Sequence, residues 1–520
     1  MNIPFNMIQQ RPVLRKLACL LMLVTVISAC KKSEKLPDEE PGPVLKSDKT
    51  ITAFSLMAAK NPGIAENVKG EIIGDTIFLR VFAETDISKL IPFYSYVGKQ
   101  VVVNDKPQES NVTFNNFSTP VPYTVVAEDG SKKTYFIKLT ESGIAALYIN
   151  TNGAPIVSKD DYIDGTVKII QNFKTVAYEG VTEVKGRGNS TWFDMPKKPY
   201  RLKLDKKASL LGMPSSKNWV LLANYADKTL IRNELAFTLS REMGREFTPA
   251  SKYVELYLNG EYRGNYQLTE QIKEGKGLVD VEDGGFLIEQ DLFAGGEEGN
   301  FFTSRDQPFV IKYPDVEDIT NEQRDYIRGH FQKFEDALFA DNFADPVNGY
   351  RKYFDIDTYI DHYLINEIIG NPDAFRSTYM FKKKDDDKIY TGPIWDFDKA
   401  ANNDNRLGDQ VRGLMANSAF EPKMWLHRML EDRTFRLAVR QRWNFWKLKT
   451  NKLTDAIAPL EKKLSASQVK NFIKWDILKK QSYLEMNVSG SWAGDVEYLR
   501  RFLTTHIAWL DTKFNSAEYQ

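Results

Sequence analysis

The chain has 520 residues, 42% of them apolar, which is enough for several domains each with its own core. Its 70 basic and 70 acidic residues leave a net charge of zero, which gives no support for nucleic-acid binding. Of the 2 cysteines, Cys19 falls inside a leader segment and Cys30 at its end, so the mature chain is expected to carry neither a disulfide nor a thiol nucleophile.

Arg11, Arg15 and Lys16 precede the apolar run Leu17–Ile27, and Ile27-Ser28-Ala29-Cys30 closes it with small residues before a cysteine. This order reads as a lipoprotein signal over residues 1–29, with cleavage before Cys30 and lipid on its sulfur and amino group. An ordinary signal peptide with a chance cysteine is the alternative. The polar, Pro-containing tether over residues 30–46 favours lipidation. The expected location is the cell envelope, lipid-anchored to a membrane, with the outer membrane favoured. No other apolar run is long enough to span a bilayer.

Residues 47–142 read as all-β. Thr76–Phe82, Gln100–Val103, Val121–Val126 and Lys133–Leu139 are strand-like, and Asp129-Gly130 is a turn. Asn116-Phe117-Ser118 and the closing run Tyr123–Ser131 with Thr134-Tyr135 resemble the immunoglobulin-like β-sandwich modules of many secreted bacterial proteins. No catalytic constellation is visible here, and a spacer or binding module is the reading.

From residue 143 the character changes. Ala146–Asn150 and Val167–Ile170 are strands, followed by Val184-Lys185-Gly186-Arg187-Gly188-Asn189-Ser190-Thr191-Trp192 and then Lys197-Lys198-Pro199-Tyr200-Arg201-Leu202-Lys203-Leu204. The first piece is a glycine-bearing loop whose backbone N–H groups could approach phosphate oxygens, with Arg187 and Asn189 as the polar candidates. A strand follows it, so it is not a Walker-type loop. A basic strand after such a loop is where a kinase keeps its phosphate-binding lysine, here Lys198 or Lys203, and a solvent-facing charged strand is the alternative. A helix over Thr229–Met243 is expected, with Asp227 as its N-cap and Glu234 available to pair with that lysine. Asn259-Gly260 turns a hairpin between Tyr253–Leu258 and Tyr262–Leu268. Gly285–Gln290 is a strand that could be the hinge between lobes. Thr320-Asn321-Glu322-Gln323 is a capping box opening a helix through Leu338. Phe435–Lys447 and Asp495–Phe514 read as further helices.

The most informative stretch is Asn371–Asp404. The amphipathic segment Asp357–Gly370 ends at Gly370, and Pro372 prevents its continuing, so Asp373 sits on a loop just past a helix. Ser377–Lys383 and Lys388–Ile394 read as a hairpin that delivers Asp396 and Asp398 to its far end, 23 residues after Asp373. Protein kinases use this layout: one Asp faces the acceptor hydroxyl and another, past a hairpin, holds Mg²⁺ against nucleotide phosphates. Asn-Pro-Asp is also ordinary turn chemistry, but acids after a buried strand are hard to explain as surface.

Five pieces in order resemble the CotH kinase family: Arg187–Thr191, Lys197–Tyr200, Trp219–Asp227 with Ile231-Arg232-Asn233, Leu258–Gly264, and Trp395–Asp398. The resemblance implies a two-lobed, atypical protein-kinase-like α+β domain over residues 143–516. It also implies transfer of phosphate from ATP to protein hydroxyls with Mg²⁺ or Mn²⁺. Asp373 matches the catalytic acid, Asp396 the metal-binding acid and Lys198 a lysine of the basic strand. Asp398 or Asn403 is expected to complete the metal shell. A kinase loop usually offers an Asn shortly after its catalytic Asp; Ser377 and Thr378 stand there instead, with Asn403 or Asp404 as the candidates to substitute for it. A non-catalytic binding protein on the same fold is therefore the alternative. A hydrolase using Asp373 and Asp396 as acid and base would leave the five pieces unexplained. The protein acceptor is not legible. His330, His362, His427 and His506 show no metal-ligand spacing and read as structural.

Overall fold

The computed structural model describes residues 44–64, 67–83, 85–172, 175–375, 377–419 and 424–520. The leader, Cys30 and most of the tether lie outside these residues.

The N-terminal β-rich region contains β1 (Thr50–Leu56), β2 (Val68–Lys69), β3 (Glu71–Ile73), β4 (Thr76–Val81), β5 (Pro92–Val97), β6 (Gln100–Val103), β7 (Lys106–Pro107), β8 (Val121–Val126) and β9 (Lys132–Glu141). They form a sheet β2-β1-β5 and a sheet β3-β4-β9-β8-β6-β7 that share one core. Alternation decides which side chains enter it: β8 buries Val121, Tyr123 and Val125 and turns the residues between them outward. Tyr123 packs edge-on against Phe54, with ring centroids 5.2 Å apart. At the Asp129-Gly130 turn, the Ser131 N–H donates to Asp129 Oδ1 at 2.8 Å, and Gly130 takes φ +84°.

A closed barrel follows directly. Its strands are β10 (Ala145–Asn150), β11 (Ile163–Gln171), β12 (Thr175–Gly186), β13 (Tyr200–Ala208), β14 (Ser216–Leu222), β15 (Ser251–Leu258) and β16 (Glu261–Glu270), ordered β10-β11-β12-β13-β14-β16-β15. Parallel pairing of β10 with β15 closes it. The short helix α1 (Ser190–Phe193) sits in the β12–β13 connection, and α2 (Arg232–Glu242) follows β14. The helix expected from Thr229 starts later because the Asp227 carboxylate first accepts the N–H groups of Thr229 and Arg232, each at 2.9 Å. Asn259 and Gly260, both at positive φ, turn the β15–β16 hairpin as expected.

The remainder is a five-stranded sheet wrapped by helices: β17 (Phe286–Gln290), β18 (Asn300–Phe302), β19 (Pro308–Tyr313), α3 (Asn321–Phe339), α4 (Ile356–Ile369), β20 (Thr378–Lys382), β21 (Tyr390–Thr391), α5 (Met415–Ser418), α6 (Met424–Glu431), α7 (Arg433–Asp455), α8 (Ile457–Lys474) and α9 (Trp492–Phe514). Thr320 and Gln323 form the capping box of α3. Asp355 caps α4, and Gly370 ends it at φ +67°. Phe286 and Ile288 of the sheet share one core with Leu364 of α4, Trp443 of α7 and Leu503 of α9. Among the described residues no helix is long and apolar enough to cross a membrane.

The order of mostly β then mostly α is only coarse. The sheet order β18-β19-β17-β20-β21 takes strands from both sides of α3 and α4, so helices and strands interleave. The Gly285–Gln290 segment is the fully buried central strand of that sheet, hydrogen-bonded to β19 and β20, and not a free connector. The second hairpin strand, expected over Lys388–Ile394, is reduced to Tyr390–Thr391. Gly392 at φ +125° and Pro393, which has no N–H to donate, end the pairing there. Asp396 and Asp398 therefore sit on an irregular loop.

The β-rich region and the barrel meet at Lys470 of α8. Its ammonium is hydrogen-bonded to Tyr257 Oη at 2.7 Å. It lies 4.4 Å from the Tyr262 ring and 4.3 Å from the ring of Phe82, which comes from the β-rich side.

Candidate active site

A cleft of about 510 Å³ opens between the barrel wall and the acid-bearing loops. One wall is the glycine loop. Gly188 takes φ +82°, and a Cβ on Gly186 would stand 2.4 Å from the Trp192 ring, so the loop packs flat on α1 only with glycine there. Asp373, Asp396 and Asp398 line the same cleft.

The acid loop is a strained backbone held from outside. Ser377, Asp396, Ala401 and Asn402 all take positive φ, a conformation that persists only where surroundings impose it. The restraints come largely from the segment before α2 and its first turn. The Phe397 N–H donates to Asn233 Oδ1 at 2.8 Å, and Arg232 Nε donates to the Ala400 carbonyl at 2.8 Å. Arg232 is itself pinned by a buried ion pair with Asp227. From the other side, the Ala401 N–H donates to the Gly370 carbonyl at 3.0 Å, tying the loop to the end of α4.

Charge in the cleft alternates. Asp396 is reached by water from the cleft but is otherwise surrounded by protein, and that burial pushes its pKa up; Lys399 and Arg187 pull the other way. Asp398 is buried, and burial plus repulsion from Asp396 raise it as well. Burial works against the charge on Lys399, but Asp373, Asp398 and Asp396 outweigh it and hold the ammonium protonated. Burial also lowers Arg187, which lies over the Trp395 ring at 5.5 Å and is opposed by Asp396. Deeper along the wall, burial pushes Glu289 up to about 7 against the pull of Lys312, 3.1 Å away.

Of the residues singled out from the sequence, Asp373, Asp396, Asp398, Arg187 and Asn189 line this one cleft. Lys198, Lys203, Glu234 and Asn403 do not. Lys198 folds back to donate to the Trp192 carbonyl at the end of α1, a group left without a partner inside that helix. Lys203 lies across the β12–β13 ladder from Glu183 and pairs with it at 2.9 Å. Glu234 faces β15 and β16, where it accepts from Gln267 at 3.1 Å and pairs with Arg241 at 2.6 Å, so it meets neither lysine. Asn403 spends its amide on the carbonyls of Asp398 and Ala226, at 2.7 and 2.8 Å, as a brace of the acid loop.

Sequence reasoning missed Arg201, Lys399 and the Glu289–Lys312 pair, all of which line the cleft. A signal for Arg201 was present: Tyr200, Leu202 and Leu204 point into the barrel, so Arg201 must point out, one pleat nearer the glycine loop than Lys203. Nothing local marks Lys399, because its partner is 26 residues away.

Among the described residues no three His, Cys, Asp or Glu side chains form a ready-made metal cage. The donor set still fits a hard cation that completes its shell with phosphate oxygens, as Mg²⁺ does with one or two carboxylates. Asp396 and Asp398 would supply those, and among the described residues Asp373 Oδ1 is buried with no hydrogen-bond partner.

The sequence profile of the CotH kinase protein family matches residues 184–510, more than half of the chain. The chain belongs to the CotH kinase protein family. The matched CotH span begins in β12, just ahead of the glycine loop, and runs into α9; β10 and β11, which complete the barrel, precede it. A second profile, that of the SGBP N-terminal module, matches residues 35–139. A solved structure of a proposed glycoside hydrolase from Bacteroides thetaiotaomicron aligns with 32% of this chain at 17% identity and a TM-score of 0.16, too low to argue from. The chain covers 54%, about half, of that structure's length. Comparison with curated proteins finds no match.

Proposed function

We propose that this CotH-family chain is an extracytoplasmic phosphotransferase, held to a membrane by lipid on Cys30, that moves phosphate from ATP to protein hydroxyls with Mg²⁺ or Mn²⁺. The barrel and the helical part act as its two lobes. The observation that carries the reading is that three carboxylates and a glycine loop line one cleft, with cations between them. Asp373 takes the proton of the acceptor hydroxyl. Asp396 and Asp398 hold the divalent cation, while Arg187, Arg201 and Asn189 face the phosphates. A bound cation with ATP supplies neutralisation of charge on the transferring group.

The test is incubation of the purified chain with labelled ATP, Mg²⁺ or Mn²⁺, and candidate acceptor proteins. Transfer lost in Asp396→Ala supports the reading. Ser377 and Thr378, where a kinase loop would offer an Asn, favour the second reading, a binding protein with a weakened site. Absence of transfer across many acceptors, with acceptor binding retained, would establish that second reading.

A further inference from the structure

The acid proposed to face the acceptor has a partner that no motif supplied. Asp373 Oδ2 lies 3.4 Å from Lys399 Nζ, and the two side chains are only 16% and 15% exposed. The other oxygen, Oδ1, is buried without a hydrogen-bond partner among the described residues. The nearby guanidinium of Arg406 is engaged with Asp404. Lys399 is in turn flanked by the Tyr483 ring at 5.8 Å. It belongs to the same irregular loop after β21 as Asp396 and Asp398, the loop fixed by Arg232 and Asn233.

We propose that Lys399 is a positioning residue that ties Asp373 to the metal-binding loop, fixing the orientation of its carboxylate on the cleft wall and competing electrostatically with the divalent cation. This rests on the phosphotransferase reading. Two consequences of opposite sign follow. The ammonium holds the Asp373 carboxylate in one orientation, and losing that restraint costs turnover. The same positive charge lies within reach of all three carboxylates, so losing it makes cation binding tighter. A residue that merely supported the fold would weaken both when removed.

The experiment uses the full chain with Lys399→Met and Lys399→Arg. Mn²⁺ binding is followed by the electron paramagnetic resonance signal of free Mn²⁺, and kcat and KM are measured separately with an acceptor the wild type phosphorylates. Lys399→Met should bind Mn²⁺ roughly tenfold more tightly. Its kcat should fall on the order of 10–100-fold, with KM for ATP little changed. Lys399→Arg keeps charge and reach and should return both values toward wild type, which also guards against a misfolded Met variant. Mn²⁺ binding that is unchanged or weaker in a folded Lys399→Met variant overturns the inference alone. If the wild type binds no Mn²⁺ either alone or together with ATP, the phosphotransferase reading falls and the inference with it.

Discussion

Asp227→Ala should be among the most damaging single changes outside the cleft. Asp227 is fully buried, and Arg232 beside it is 3% exposed. The carboxylate accepts the N–H groups of Thr229 and Arg232, each at 2.9 Å, and pairs with the Arg232 guanidinium. Removing it strands a guanidinium in the interior, which costs about 3–5 kcal/mol, and the two orphaned N–H groups push toward the upper end. With ~2 cal/mol/K of unfolding entropy per residue, a unit of this size should lose roughly 4–6 °C in Tm. Arg232 Nε also holds the Ala400 carbonyl, so the thermal shift produced by Mg²⁺ with ATP should shrink as well. The control is Asp227→Leu with Arg232→Met, which removes both charges and should recover much of the stability. It should not recover the ligand-induced shift, because the link to the acid loop stays broken. Calorimetry and denaturant unfolding measure the first effect, and differential scanning fluorimetry the second. A single mutant within 1 kcal/mol of wild type, or a double mutant no more stable than the single, would refute the assignment of this pair as the pin of the acid loop.

Four further outcomes are expected. Asp396→Ala should abolish the stabilisation by Mg²⁺ with ATP without unfolding the protein, since a ligand that binds only the folded state adds stability; a full shift in the mutant would put the cation elsewhere. Asp373→Asn should keep that shift but lose on the order of 10²–10⁴ in transfer rate, and equal rates in mutant and wild type would remove Asp373 from the mechanism. Burial pushes the Lys197 ammonium down to about 7, against about 10.5 unfolded, so the unfolded chain binds the extra proton between those values. Its stability contribution is complete above the unfolded pKa and lost as pH falls from about 10.5 toward 7, and Lys197→Met should flatten that part of the stability profile. Mass spectrometry of the purified N-terminus should find acyl mass on Cys30, and an unmodified soluble form in wild-type cells would count against the anchor.

Local signals carried much of the fold. The α3 capping box, the Asn259-Gly260 turn and the Gly370 stop with Pro372 behind it each depend on a few adjacent residues, and each is found where it was expected. Barrel closure was not legible, because β10 pairs in parallel with β15 across more than 100 residues of intervening chain and leaves no periodic trace. The interleaved sheet was hidden for the same reason: β20 pairs with β17 from beyond two helices. In the cleft, the acids were visible because carboxylates after an apolar strand stand out. The choice among cations was not, because it depends on strand phase. Arg201 faces the cleft, whereas Lys203 on the same side is one pleat too far and meets Glu183. Lys198 was the natural candidate by composition, and the unpaired carbonyl ending α1 captured it instead.

The joint at Lys470 bears on how the protein could search for its acceptors. One ammonium held by aromatic rings from both the β-rich region and the barrel, next to a connection of only a few residues between β9 and β10, restrains how far the two parts swivel. The β-rich region should then follow the barrel's tumbling more closely than a free tether would allow. If lipid on Cys30 is the anchor, residues 30–46 define the radius of action: fully extended, they span at most about 60 Å. Acceptors beyond that shell could be reached only by lateral diffusion of the anchor, and shortening the tether should narrow the range of acceptors without altering turnover on those that remain in reach.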